Sequence, residues 1–211
     1  PMPVYCLLWD DLLEKYDELD PRFAQTIAAH GANWNTEIGI LNFLPGGAHN
    51  VANDKTKHLV RKWVPRVLRA TAPRNSTNMD WIVFRVAELY LNYAEALNEL
   101  TTSYEVPSWD GSITYTISRN VEDMRTGIKP IRMRAGVPDY DADTYSNPIK
   151  FRIKLKRERQ IELMGENHRY YDLRRWKIDA PLEEETLIYG CNMLMDDGHK
   201  ALFHTPVAIM S

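Results

Sequence analysis

The chain has 211 residues, of which 44% are hydrophobic and 26% are charged, and its formal net charge is -3 at pH 7. This composition is ordinary for a soluble globular protein that buries a sizeable core. The near-neutral charge gives no reason to expect nucleic acid or an anionic membrane as a partner. No apolar run approaches the roughly 20 residues that are needed to cross a bilayer.

The first third of the chain combines one predicted helix with a long irregular segment. Apolar residues recur on one face of residues 7–19, which predicts an amphipathic helix. Asp20-Pro21 ends it, because the residue before a proline is pushed out of the helical region. Residues 31–54 contain four glycines, several asparagines and Pro45 without any regular period. Loops of this length inside a compact domain are usually functional or disordered.

Residues 83–100 form the clearest predicted helix, with Asp80 as its candidate N-cap. Alanines among these residues leave room for a neighbouring helix to approach closely. The predicted buried stripe consists of Val86, Leu89, Tyr90, Tyr93, Leu97 and Leu100.

Two shorter elements follow this helix. Ile113, Tyr115 and Ile117 alternate with polar residues after the turn dipeptide Asp110-Gly111, which predicts a short β-hairpin or an extended arm. Residues 121–135 regain helical character but contain Gly127 and Pro130, and these predict two short pieces with a kink between them. Gly136 is the expected C-terminal cap.

The stretch 157–176 is unusually dense in charge. Residues 150–177 hold ten Lys or Arg against four Asp or Glu. Glu158 and Glu162 stand one turn apart, so they share a helix face among arginines, and this favours ion pairs to neighbouring helices. Gly165 predicts a bend or helix end, followed by a second short helix through Trp176.

Two groups of acidic residues raise the question of catalysis or metal binding. Glu158 and Glu162 could be the carboxylate pair of a glycosidase, but neighbouring guanidinium groups would lower the pKa of a general acid and so favour structural ion pairs. Asp139, Asp141 and Asp143 have the spacing that opens a calcium loop, yet the rest of that pattern fails, which favours an ordinary acidic turn. No catalytic nucleophile motif is present.

Four stretches, in order, resemble the SusD/RagB family of surface nutrient-binding lipoproteins from glycan-foraging Gram-negative bacteria. The first stretch, Asp20-Pro21-Arg22 followed by Thr26, resembles the beginning of the family's C-terminal region. The other three matching stretches are RVAELYLNYAEAL at 85–97, IRMRAGVP at 131–138, and RERQIEL at 157–163 with HRYYDLRRW at 168–176.

The resemblance implies a mainly α fold, a tetratricopeptide-like helical scaffold with long irregular loops and at most a short β-hairpin. It also implies a single C-terminal domain over residues 1–211 of a longer lipoprotein. Within it we expect a loop-rich part at 31–78, a helical core at 80–177 and an irregular tail at 178–211. A signal peptide and a lipid-attachment cysteine are expected upstream of the fragment.

Aromatic residues in loops are the candidate ligand contacts. A sugar ring presents C–H groups to an aromatic face and hydroxyl groups to short polar side chains. Trp34 beside Asn35, and Trp109 beside Asp110, have this composition. Asn50 and Arg74 are further candidates for binding hydroxyl groups.

The predicted function is non-catalytic binding of an oligosaccharide, or of a glycopeptide, at the outer-membrane surface. The resemblance implies a lipid anchor outside this fragment and a TonB-dependent, SusC-like transporter as partner. We expect no cofactor, no metal and no nucleic-acid partner. The alternative is a tetratricopeptide-like scaffold that binds a protein and no sugar. Hydrolysis of a glycan is a third, less favoured hypothesis.

Overall fold

The computed structural model describes residues 16, 18–43, 46–49, 58–68, 76–78, 82–176, 188–190 and 207–210. The fold in these residues is mainly helical, as predicted, with small antiparallel sheets of two strands each. In chain order, the elements are α1 (Arg22–Thr26), β1 (Ile27–Ala29), β2 (His58–Val60), α2 (Val86–Glu99), β3 (Tyr104–Pro107), β4 (Thr114–Ile117), α3 (Val121–Arg134), α4 (Ala142–Ser146), α5 (Pro148–Glu162), α6 (His168–Arg175), β5 (Ile188–Gly190) and β6 (Val207–Met210). The predicted hairpin is β3–β4.

The chain divides into two compact units. The first unit comprises residues 1–80 and 170–211, and the second comprises residues 81–169. The single domain expected from the sequence stays a prediction. The predicted helix over residues 7–19 lies largely outside the described residues, as does most of the tail. In the part of the chain that the structure describes, no helix has the length and apolar character to span a bilayer.

The first unit is built around a small buried cluster. Ala28 of β1, Leu41 and Phe43 form this cluster, and Trp34 packs against it while staying partly exposed. β1 runs antiparallel to β2 with Ala28 opposite Leu59. The described part of the predicted irregular segment is made of turns and one isolated bridge, Asn33 to Ile40. The cluster therefore holds a loop in place.

The core of the second unit lies between α2, α3 and α5. At its centre α2 and α3 approach each other at Gly127, where an added Cβ would lie 2.6 Å from the Tyr90 carbonyl oxygen and 2.9 Å from the Ala94 Cβ. Glycine is therefore required by the close approach of two helices. The buried apolar residues of this core are Leu91, Ala94, Leu97, Met124, Ile128, Ile131, Tyr145, Phe151, Leu155 and Leu163.

The predicted division of α3 into two short pieces is wrong, because α3 is one helix from Val121 to Arg134 with Pro130 inside it. The predicted kink stays a prediction. Pro130 is exposed, so water can bind the carbonyl group that loses its amide partner. Asn120 caps the start of the helix by accepting from the Asp123 amide at 2.8 Å. The predicted cap at Gly136 is confirmed by its φ of 75°.

The buried face of α2 also differs from the prediction. Leu91, Ala94 and Leu97 are buried, whereas four members of the predicted stripe, Val86, Leu89, Tyr90 and Tyr93, are exposed. Ala94 turns toward α3 because its small side chain permits the close contact at Gly127. The helix begins one residue after Arg85, which makes no side-chain cap, and Asp80 lies outside the described residues. An aromatic face of α2 therefore stays exposed to solvent.

A set of ion pairs, here called the Arg–Glu network, joins α2, α3 and α5. Arg85 reaches the Glu162 carboxylate at 2.6 Å, and Arg134 reaches the same carboxylate at 2.5 Å. Arg132 reaches Glu158 at 2.6 Å. Both glutamates are buried, with exposed fractions of 2% for Glu158 and 3% for Glu162. The predicted ion pairs between neighbouring helices are confirmed.

The predicted bend at Gly165 is confirmed. Asn147 caps the start of α5 by accepting from the Ile149 and Lys150 amides. The turn after α5 contains two residues with positive φ, Gly165 at 77° and Asn167 at 63°. Because few residues adopt this conformation without strain, the pair ends α5 and lets α6 begin at His168.

Candidate functional site

The turn that presents Trp34 is held by Asn35. The Asn35 side-chain oxygen accepts from the Glu37 amide at 3.0 Å and from the Ile38 amide at 2.7 Å, and its amide nitrogen donates to the Arg66 carbonyl at 2.7 Å. Gly39 closes the turn with a φ of 72°. Both ends of the Asn35 amide are thus engaged with the backbone. Its predicted contact with a ligand stays a prediction.

Trp34 packs against a buried arginine. The Arg61 guanidinium carbon lies 5.5 Å from the centre of the Trp34 ring, a distance typical of a cation–π contact. Trp34 also packs against the cluster of Ala28, Leu41 and Phe43, and it stays partly exposed. The tryptophan is therefore both a support for its loop and a partly open aromatic surface.

Arg61 is buried, and its contacts in the described residues include no carboxylate. Its exposed fraction is 7%, and its two terminal nitrogens donate to the Ala24 carbonyl at 3.2 Å and the Asn33 carbonyl at 2.9 Å. Its Nε has no hydrogen-bond partner among the same residues. Burial, and secondarily the charge of Arg66, lowers the pKa of Arg61. The guanidinium therefore meets neutral carbonyl groups and another cation.

Arg66 is the exposed neighbour of Arg61. One of its terminal nitrogens donates to the Gln25 side-chain oxygen at 3.1 Å. Within the described residues, neither Arg61 nor Arg66 has a carboxylate at ion-pair distance. Sequence reasoning missed both arginines as functional candidates. The only sequence signal was the basic character of residues 55–72.

Trp109 lies at the tip of the hairpin β3–β4, in the second unit. Its exposed fraction is 99%. The neighbouring Asp110 carboxylate accepts from the Ser108 hydroxyl at 2.6 Å, and from the Ser112 amide at 3.1 Å and hydroxyl at 2.8 Å. The hydrogen bond from Ser108 is the largest of several that lower the pKa of Asp110 to about 2. The tip thus combines an open aromatic ring with an ionised carboxylate and two hydroxyl groups.

The hairpin below the tip is amphipathic. Tyr104 is paired with Ile117, and Val106 with Tyr115, so these four side chains share one face of the two strands. Tyr104, Val106 and Tyr115 are exposed, while Ile117 packs against the core of the second unit. The base of the hairpin, at Ile117, is therefore anchored to the core, and the rest of this face is open to solvent.

Asn50 and Arg74, the other two candidates, lie outside the described residues. Trp34 and Asn35 are neighbours in one turn of the first unit, and Trp109 belongs to the second unit. The involvement of all five residues in ligand binding stays a prediction.

The acidic residues considered for catalysis or metal binding have protein partners. Glu158 and Glu162 are buried in the Arg–Glu network. Asp139 accepts from the Tyr145 hydroxyl at 2.7 Å and pairs with an arginine, Asp141 caps α4, and Asp143 pairs with a lysine at 2.5 Å. Among the described residues, no group of three potential metal ligands comes together.

Comparison with known proteins identifies the class. The model of the SusD family matches residues 10–205, so the chain belongs to the SusD family, as predicted from its motifs. A SusD-like protein (BF3747) from Bacteroides fragilis NCTC 9343 has a similar solved structure, with a TM-score of 0.63 and 29% identity over 86% of this chain and 32% of that protein.

A second solved structure, BT4246, has a TM-score of 0.66 and 24% identity over 91% of this chain and 31% of that protein, and it supports the fold. The chain spans about a third of the length of these two proteins. A comparison with curated proteins found no match.

Proposed function

We propose that the protein is a non-catalytic binding protein that holds an oligosaccharide for uptake. It acts at the outer-membrane surface, where a lipid anchors it, and it passes its ligand to a TonB-dependent, SusC-like transporter. The observation that carries this proposal is the membership of the SusD family over residues 10–205. Capture and hand-over require only modest affinity, because the ligand has to leave again.

The hairpin tip supports a role in sugar binding. An open indole face can stack against the C–H groups of a pyranose ring, and nearby hydroxyl and carboxylate groups can bind sugar hydroxyls. Trp109 is nearly fully exposed and has Ser108 and Asp110 beside it. Trp34 offers a second, smaller aromatic surface in the first unit.

The positions of Glu158 and Glu162 support a non-catalytic role. A glycosidase needs one protonated and one ionised carboxyl group on opposite sides of an open cleft. Both glutamates are buried, and each is within 2.6 Å of a guanidinium group. Neither carboxylate therefore lies open in a cleft where it could act on a substrate.

Isothermal titration against a panel of neutral and charged oligosaccharides tests the proposal. We expect at least one glycan to bind, without release of shorter products on incubation. Trp34→Ala and Trp109→Ala would each weaken binding if its ring contacts the sugar. Tyr93→Ala is a matched control, because it removes an exposed aromatic ring from α2. Absence of binding to every glycan would contradict the proposal, and product release would indicate an enzyme.

The transporter partnership needs a separate experiment. We expect the full-length lipoprotein to co-purify from outer membranes with a TonB-dependent transporter after mild crosslinking. A protein of the same membrane that is unrelated to transport serves as the control. Recovery of the lipoprotein without any transporter would contradict this part of the proposal.

One observation favours the alternative function of a protein-binding scaffold. Val86, Leu89, Tyr90 and Tyr93 leave an exposed apolar face on α2, and such faces are often covered by another helix. If this face serves the function, Tyr90→Ala and Tyr93→Ala would abolish co-purification with the partner, while both tryptophan variants would have no effect. Loss of glycan binding in the tryptophan variants would contradict the alternative.

A further inference from the structure

Arg61 differs from Arg85 and Arg132, two partly buried arginines that have carboxylate partners. Arg85 and Arg132 each reach a glutamate carboxylate at 2.6 Å. The exposed fraction of Arg61 is 7%, against 22% and 16% for the side chains of Arg85 and Arg132. Within the described residues it donates to two backbone carbonyls and contacts the Trp34 ring, and its Nε has no hydrogen-bond partner. Moving a guanidinium out of water is unfavourable unless hydrogen bonds or an anion compensate for the lost hydration. The hydrogen bonds of Arg61 therefore compensate only in part for the hydration that it loses on burial.

Arg66 adds a second positive charge without a carboxylate partner in the described residues. It lies close enough for its charge to lower the pKa of Arg61, and its own side chain donates to the neutral amide of Gln25. Two guanidinium groups that repel each other, with no carboxylate between them in the described residues, create a positive potential in the first unit. A bound anion would relieve this repulsion.

The aromatic ring beside these charges indicates what kind of molecule carries the anion. Trp34 lies 5.5 Å from the Arg61 guanidinium carbon and stays partly exposed. A partly open indole accepts the apolar face of a sugar ring, while an adjacent guanidinium binds a planar carboxylate or a sulfate through two parallel hydrogen bonds. One ligand that has both features is an acidic sugar.

We infer that Arg61, Arg66 and Trp34 form an anion subsite, and that the glycan taken by this protein bears carboxylate or sulfate groups. This inference rests on the proposed function, because it assumes that the ligand is a glycan. Arg66, the exposed member, makes the direct contact with the anion. Arg61 supplies the adjacent buried charge, and Trp34 orients the sugar ring.

A purely structural role for Arg61 is the competing explanation. Its contacts to the Ala24 and Asn33 carbonyls tie α1 to the Trp34 loop, and such a role requires no ligand. The two explanations differ at Arg66, whose side chain is exposed and reaches α1 through a single hydrogen bond to the Gln25 side chain. Varying the charge of the ligand and substituting Arg66 therefore distinguishes the two explanations.

The test uses pairs of oligosaccharides that differ only in charge. Oligogalacturonate is compared with its fully methyl-esterified form, and a sulfated carrageenan oligosaccharide with its desulfated form, by isothermal titration at low and high salt. The full chain is compared with Arg66→Gln, Arg61→Met and Arg152→Gln. Arg152→Gln is the matched control, because it removes one exposed positive charge from the second unit.

We expect the charged member of at least one pair to bind about tenfold more tightly than its neutral form, and salt to weaken this preference. Arg66→Gln would abolish the preference without weakening binding of the neutral form, and Arg152→Gln would retain it. A preference confined to one pair identifies the anionic group. If Arg61→Met does not fold, Arg66→Gln alone decides the result.

Equal affinity for the charged and neutral forms would overturn the inference and leave the proposed function intact. Retention of the charge preference by Arg66→Gln would also overturn it. Failure to bind any of these oligosaccharides while a neutral glycan of the panel binds would overturn the inference alone. Failure to bind every glycan of the panel as well would contradict the proposed function and this inference together.

Discussion

Arg85 and Glu162 are 77 residues apart in sequence, and their side chains meet at 2.6 Å. Arg85 immediately precedes α2, and Glu162 is the last residue of α5. The same guanidinium also donates to the Glu162 carbonyl and to the Glu166 carboxylate, both at 2.7 Å. This single side chain therefore connects the start of one helix to the end of another.

We expect Glu162→Gln to lower the free energy of unfolding by about 3 kcal/mol. Breaking a buried ion pair leaves its partner uncompensated, which typically costs about 3 to 5 kcal/mol. The lower value applies because Arg134, the other partner, is 61% exposed and can be solvated. Urea denaturation followed by circular dichroism measures the change. As a control, Glu99→Gln breaks an exposed pair with Arg152 and should change stability by less than about 1 kcal/mol.

If Glu99→Gln lowered the free energy of unfolding more than Glu162→Gln does, the buried Arg–Glu network would not be the main electrostatic contribution to the stability of the second unit.

We expect Gly127→Ala to destabilise the second unit by about 1 to 3 kcal/mol, as overpacking of a core does. The added methyl group would lie 2.6 Å from the Tyr90 carbonyl oxygen and 2.9 Å from the Ala94 Cβ, so α2 and α3 would have to separate. This prediction opposes helix propensity, which favours alanine over glycine by about 1 kcal/mol. Thermal unfolding measures the change.

Lys129→Ala is the matched control for Gly127→Ala, because Lys129 is exposed on the same helix. It should change the free energy of unfolding by no more than about 0.5 kcal/mol. A stabilising effect of Gly127→Ala would show that the helices are not in close contact at this position.

The sequence was sufficient to predict the features that depend on neighbours in the chain. A clear helical pattern precedes each of Gly136 and Gly165. Both glycines adopt the positive φ that their role as helix ends requires. The alternation of Ile113, Tyr115 and Ile117 likewise predicted the hairpin. These are local preferences of backbone and side chain, so a single sequence contains them.

Features that depend on distant contacts could not be predicted in the same way. α2 carries apolar residues on two faces, and only its contact with Gly127 of α3 decides that Leu91 and Ala94 are buried while Tyr93 is exposed. Arg61 donates to carbonyls 28 and 37 residues away, so nothing near it in sequence indicated its burial. Both outcomes follow from packing between segments that are far apart in the chain.

We expect Trp109→Ala to leave the free energy of unfolding within about 0.5 kcal/mol of the original value, because the side chain is 99% exposed. If the hairpin tip contacts the glycan, the same variant would bind about tenfold more weakly, which corresponds to about 1.4 kcal/mol. Thermal unfolding and isothermal titration separate the two effects. Unchanged affinity would remove Trp109 from the site, and an unfolded variant would contradict its exposed position.

The turn that presents Trp109 should keep its hydrogen bonds well into the acid range. Asp110 is fully exposed, and hydrogen bonds, that from Ser108 the largest, lower its pKa from 3.8 to about 2 in the folded protein. Because the folded-state pKa is the lower one, the carboxylate stabilises the turn above pH 3.8, and this contribution is lost as the pH falls through about 2. NMR titration of the Asp110 carboxyl carbon measures the value directly. Ser108→Ala should raise the pKa of Asp110 toward 3.8. Thr114→Ala, on the polar face of the same hairpin, is the control and should leave this pKa unchanged. A pKa near 3.8 in the original protein would show that the hydrogen bonds at the tip are not formed in solution.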